Sequence, residues 1–170
     1  MLDLSVLLGM VTEEKIWKIL EQVSDPEIPV LTISDLGIIR GIEKYDESFK
    51  IKITPTYSGC PAMRVIESEI EAALKKEKIT DFTIETALSP DWTTDWLSEN
   101  GRQKLAEYGI APPVNEPDKS ILFADASAVS CPICHSPNTK MISLFGSTAC
   151  KAHYQCNSCL EPFDYFKCME

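Results

Sequence analysis

The sequence predicts an α+β fold: a small three-stranded sheet with helices on it, followed by a short cysteine-rich ribbon. Two observations carry this. Over the first 110 residues, helical and strand periodicities alternate in the order αββαβα. Beyond them, two Cys-x-x-Cys pairs, Cys131–Cys134 and Cys156–Cys159, bracket a run of strand formers around Gly146-Ser147.

The first helix is expected from Thr12 to Val23, with Thr12 as N-cap and Ile16, Leu20 and Val23 on one face. Asp25-Pro26 and Pro29 end it in a loop, because proline offers no N–H to a helix. Residues 36–45 (LGIIRGIEKY) and 49–55 (FKIKITP) read as two strands joined through Asp46-Glu47-Ser48. In the second, Phe49, Ile51 and Ile53 alternate with lysines, the period of a half-buried strand. Pro61 opens a stronger helix, with Met63, Ile66, Ile70 and Ala73-Leu74 as its apolar stripe and Glu71 facing Lys75 one turn on. Residues 81–88 (DFTIETAL) supply a third strand, and a last helix runs from Thr94 to Tyr108, stopped by Gly109. From Ala111 to about Ser130, APPVNEP breaks regular structure and reads as a linker. The expected organisation is therefore an α+β domain over 1–110, a linker over 111–129 and a ribbon over 130–170.

Composition narrows the function classes. At 44% apolar and 25% charged residues the chain is an ordinary globular one. No apolar run approaches the roughly 20 residues of a bilayer-spanning helix. The opening MLDLSVLLGM lacks the basic flank and cleavage site of a secretory signal, so a cytoplasmic protein with no membrane partner is expected. The formal net charge is −10, and the acidity lies upstream of the ribbon. An acidic body repels phosphate backbones, so no nucleic-acid partner is expected. The charge suits a basic protein surface, or is simply solvated.

Six of the seven cysteines fall between Cys131 and Cys168. An odd count without an export signal argues for metal binding or thiol chemistry over a disulfide framework. Two residues between thiolates let both sulfurs face one ion from a tight turn, and two such turns complete a tetrahedron. Cys131, Cys134, Cys156 and Cys159 are thus the ligands expected for a structural zinc in a C-terminal zinc ribbon. Iron in the same four thiolates is the alternative metal. Cys150 and Cys168 read either as buried ribbon thiols or as additional ligands.

Cys60 stands apart, in TPTYSGCPAM just before Pro61. A helix N-terminus favours a thiolate and would lower its pKa, which makes a reactive thiol or transient metal ligand; a buried cysteine without chemistry is the alternative. Asp25 and Glu27 sit in a rigid Asp-Pro-Glu turn, where they can bind a metal or, more simply, cap the turn. Trp92 and Trp96 are expected in the core, unless an exposed pair marks a docking face. No phosphate loop or Ser-His-Asp set is present and no histidine precedes His135, so no catalytic set is recognised and an enzyme is not expected.

DPEIPVLTISDLGIIRGI, followed by the strand ending in TPTYSGCPAM, resembles the small α+β domain of iron–sulfur assembly factors, the group that includes SufT. The resemblance spans about residues 12–110. It implies that Cys60 is a functional thiol, and it carries the family's acidic motif onto Asp25 and Glu27. DWTTDWLSENGRQKLAEYGIAPP, CPICHS, STACKAHYQC and EPFDYFKC are similar to the PaaD family of bacterial phenylacetate degradation, over nearly the whole chain. That resemblance implies an accessory protein of the phenylacetyl-CoA 1,2-epoxidase system. It would assist assembly of the reductase's iron–sulfur cluster or the oxygenase's diiron centre. Its partners would be those components and the iron–sulfur assembly machinery, and its cargo a transient iron ion or iron–sulfur cluster. The lack of Glu-x-x-His pairs, which a diiron bundle needs, agrees. The competing classes are a thiol–disulfide redox protein using a CxxC pair and a nucleic-acid-binding ribbon. A homo-oligomer is compatible with the sequence.

Overall fold

A computed structural model describes residues 11–46, 48–113 and 129–167. The first helix, α1 (Glu13–Leu20), starts where expected: Thr12 Oγ1 accepts the Lys15 N–H at 3.2 Å, satisfying one otherwise orphaned donor. Ile16 and Leu20 form its buried face. The hairpin β1 (Ile39–Tyr45) and β2 (Ser48–Ile53) is antiparallel, and Asp46 takes the positive φ that the turn needs. Phe49, Ile51 and Ile53 point into the core, as their alternation requires.

Helix α2 (Ala62–Lys76) then crosses back so that β3 (Phe82–Thr86) lies parallel to β2, giving the order β1-β2-β3. Its stripe of Met63, Ile66, Ile70 and Leu74 is buried, each such side chain stabilising the fold by about 1.5–3 kcal/mol. The exposed Glu71–Lys75 pair, 2.7 Å apart, adds little.

The expected helix from Thr94 divides into a 3₁₀ turn (Thr94–Trp96) and α3 (Glu99–Tyr108), because Ser98 caps the second piece. Ser98 Oγ accepts the Gly101 N–H at 2.9 Å and donates to Asp35 Oδ1 at 3.0 Å. Asp35 is the hub of this corner. Its carboxylate also accepts Thr32, Asn100 and Lys104, the last at 2.6 Å. Two residues on, Gly37 has φ +66° and lies under Trp96, whose carbonyl oxygen a Cβ would strike. Only glycine meets both constraints. Trp92 is buried and donates to the Leu36 carbonyl at 2.7 Å, while Trp96 lies half-buried under the Arg40 guanidinium. Trp92 is a core residue and Trp96 packs partly buried against the same cluster, so the two do not form an exposed pair.

Gly109 ends α3 in the left-handed conformation, and the chain enters β4 (Ile110–Ala111). Ala111, expected to begin the linker, instead pairs in parallel with β7 (Pro162–Phe166). The second sheet has the order β4-β7-β6-β5, with β5 (Thr139–Ser143) and β6 (Lys151–Cys156) antiparallel. Its edge strand thus comes from the upstream half. The core is shared as well: Cys150 and Phe166 belong to the apolar cluster of the first half, and Phe166 meets Trp92 edge-on at 5.9 Å. Ala152, Tyr154, Phe163 and Tyr165 form a second cluster around Cys131 and Cys156. Most of the expected linker, residues 114–128, lies outside the described residues, as does Cys168. Among the described residues no helix is long and apolar enough to cross a membrane.

Candidate functional site

Two tight turns build the ribbon's end. In the first, His135 N–H reaches the Cys131 carbonyl at 2.9 Å and Cys131 N–H reaches the Ser136 carbonyl at 3.0 Å. In the second, Cys156 Sγ accepts the N–H groups of Ser158 and Cys159, each at 3.4 Å. The residues that follow, His135 and Leu160, have positive φ and turn the chain away. Ser136 Oγ and Ser158 Oγ, 2.7 Å apart, tie the turns together. Cys131 Sγ then lies 3.8 Å from Cys159 Sγ and Cys134 Sγ 3.5 Å from Cys156 Sγ, with all four sulfurs within 4.8 Å of one another. Zn–S bonds of about 2.3 Å in a tetrahedron set the sulfurs about 3.8 Å apart, so the four cysteines fit a structural zinc ion. The protons show the same design. The Cys159 N–H, with that of Ser158, brings Cys156 down to about 6. At Cys159 the Glu161 N–H favours the thiolate, but burial and three neighbouring sulfurs push it up to about 12. Four crowded sulfurs share protons poorly and a divalent cation well. Cys150 is not in this group, and the His153 ring is turned to Asp164, 3.3 Å from its carboxylate.

Cys60 lies two residues before α2. Gly59, with φ +81°, reverses the chain, and the Cys60 N–H bonds the Tyr57 carbonyl at 3.2 Å. The Cys60 sulfur is half-buried and accepts the Ala62 N–H and the Tyr57 hydroxyl. Those donors favour a thiolate, as the helix start suggested. Burial outweighs them, and Glu27 and Asp25 add to it, so the pKa is raised, not lowered. Asp25 is buried and spends Oδ1 on the N–H groups of Glu27 and Ile28, at 2.9 and 2.7 Å. It caps the turn. Burial raises its pKa, those two bonds lower it, and the net direction is up. Burial, then Asp25, likewise raise Glu27.

The structure thus brings Asp25, Glu27 and Cys60 into one neighbourhood. It also adds residues that the sequence did not assign there. Tyr57 is one. Lys151, only 6% exposed at the start of β6, is another, and its charge favours the ionised forms of Asp25 and Glu27. Cys150 is the third, within electrostatic range of both Cys60 and Glu27. The available signal was Lys151 itself, a charge next to the buried Ala152 where strand alternation should have kept one of the two outside.

Comparison with known proteins places this arrangement. Residues 13–85 match the iron–sulfur cluster assembly protein family and residues 115–167 the PaaD zinc β-ribbon domain. Over 155 residues the chain is 48% identical to a protein of Escherichia coli K12 provisionally named as a component of 1,2-phenylacetyl-CoA epoxidase, covering 91% of this chain and 92% of that protein. An Fe-S protein maturation auxiliary factor of Porphyromonas gingivalis W83 is 32% identical over 96 residues, which is 55% of this chain and 90% of that one. Among solved structures, a domain of unknown function from Bacillus anthracis superposes with a TM-score of 0.52 at 25% identity, over 55% of this chain and 90% of that chain. With an iron–sulfur assembly domain and a PaaD ribbon in one chain, the protein belongs to the PaaD family.

Proposed function

We propose that this protein is an accessory factor of a phenylacetyl-CoA 1,2-epoxidase, assisting assembly or repair of an iron–sulfur cluster or diiron centre in another component. Cys60 is its working thiol, Glu27 its acidic neighbour and Asp25 the residue that fixes their turn. The observation that carries this reading is the separation of two kinds of thiol. Four cysteines close on one another and leave a zinc ion no open position, so that site is structural. Cys60 instead stays single, half-buried and beside carboxylates, where a cation is favoured over an added negative charge. The likeness to a named epoxidase component supports the client, and the likeness to a maturation factor supports the task.

A thiol–disulfide role for a CxxC pair is less well supported, because all four sulfurs converge on one point within 4.8 Å of one another, the arrangement of a closed metal site and not of a lone redox pair. A nucleic-acid role conflicts with the net charge of −10. The test is coexpression of the epoxidase components with the Cys60→Ser variant. Client metal content and epoxidation should fall together while the ribbon keeps its zinc; normal content and activity would remove Cys60 from the function.

A further inference from the structure

We propose that the metal end of the ribbon is a docking surface, built on Ile133 and Leu160, for a protein partner that offers an apolar pocket bordered by lysine or arginine. The partner's identity as an epoxidase component rests on the proposed function.

Leu160 is doubly disfavoured where it stands. It is 69% exposed, the most exposed large apolar side chain among the described residues, and its φ is +66°. A single exposed leucine is ordinary on a protein surface. One held in the left-handed region is not, because its Cβ crowds the backbone there and glycine or asparagine sits more easily. The other described non-glycine residues with positive φ are Asp46, Lys78 and His135, all polar. The turn after the second cysteine pair thus keeps a leucine that its own backbone and the surrounding water both disfavour. Burial against a partner offsets both.

Ile133 holds the matching place on the other turn. It directly precedes Cys134 as Leu160 directly follows Cys159, and those two sulfurs lie within 4.8 Å of each other. The Ser136–Ser158 contact of 2.7 Å sets the turns side by side. Ile133 is 54% exposed, and so is the neighbouring Cys134 an exposed residue. Two apolar side chains are therefore carried on turns that the metal cross-links, and a preformed pair loses little freedom on binding.

Charge selects the partner. Residues 131–138 and 156–162 contain no lysine or arginine and one carboxylate, Glu161, which is exposed. Four thiolates exceed the charge of a zinc ion, and Cys134 brings one of those sulfurs to the surface. Lys140, the nearest lysine along the chain, lies beyond these turns on β5. An apolar pair in a negative field fits an apolar pocket with a basic rim. The same field repels nucleic acid and a second copy of a chain with net charge −10.

The test measures binding of the full, reduced, zinc-loaded chain to each purified epoxidase component by biolayer interferometry, at low and at high salt. One component should bind, and more weakly at high salt. Leu160→Gly and Ile133→Ser should each weaken that binding by more than about 10-fold. Glu161→Lys should weaken it and reduce its salt dependence. All three variants should keep their zinc, and Leu160→Gly should melt no lower than wild type, since glycine takes φ +66° without strain. Unchanged affinity in both apolar variants, binding indifferent to salt and to Glu161→Lys, or no binding of any component would each overturn the proposal. So would self-association that Leu160→Gly removes while component binding persists, because the surface would then belong to a second copy. If Leu160→Gly binds normally while Cys60→Ser fails to support the client's metal content, the docking surface falls and the Cys60 role stands. Lost binding with Leu160→Gly, beside a normal epoxidase with Cys60→Ser, gives the reverse.

Discussion

Cys60 has two hydrogen-bond donors on its sulfur and a helix behind it, yet burial and two carboxylates keep its proton on. It should therefore alkylate slowly at neutral pH, with a pH profile whose midpoint lies above the ordinary thiol value. Glu27→Gln should move that midpoint down by removing a negative neighbour. A midpoint below about 8 in an iodoacetamide rate series would contradict this. Asp35 makes the opposite case. Burial alone would raise its pKa, but Lys104, Asn100, Thr32 and Ser98 together hold it well below the usual carboxylate range. A lowered folded pKa means that the stabilisation is present above the unfolded value and is lost as pH falls below about 4. Asp35→Ala should cost about 2–4 kcal/mol at pH 7 and flatten the acid limb of the stability curve, as read by urea unfolding across pH. Less than the full cost of a buried pair is expected, since Lys104 is about a third exposed. Asp35 was present in the sequence as part of SDLG, but its partners come from two segments that only the fold brings together.

Among elements, α1, the β1–β2 hairpin and α2 were legible because each carries its own period and its own punctuation: Thr12, Asp46, Pro61. The helix expected from Thr94 was divided by Ser98, whose capping role depends on Asp35 more than sixty residues earlier. The ribbon turns were legible from spacing alone, since four thiolates need one geometry. Which cysteines were left over was not. Cys150 immediately precedes β6, and strand register decides that it faces the first core instead of the metal. Cys134→Ser should accordingly lower zinc retention by more than about 10-fold, whereas Cys150→Ser should leave zinc stoichiometry unchanged. Zinc analysis after dialysis against a competing chelator measures both.

At the scale of the whole molecule, the two halves are joined in two ways: β4 pairs with β7, and Phe166 sits in the upstream core. Two independent units would melt independently. Phe166→Ala should cost about 3–5 kcal/mol and split a single calorimetric transition into two, whereas two resolved transitions already in the wild type would argue against a joined fold. The joining also decides which charge faces Asp25 and Glu27, since Lys151 belongs to the ribbon.

By itself, the sequence determined the α+β order, the zinc-binding quartet and the acidic body, because periodicity, ligand spacing and charge are local or additive properties. The tertiary structure decided the direction of the Cys60 pKa, the capping role of Asp25, the Asp35 hub and the placing of Cys150 in the first core. These depend on burial and on which distant segments share a core, and neither is written in the spacing of residues along the chain.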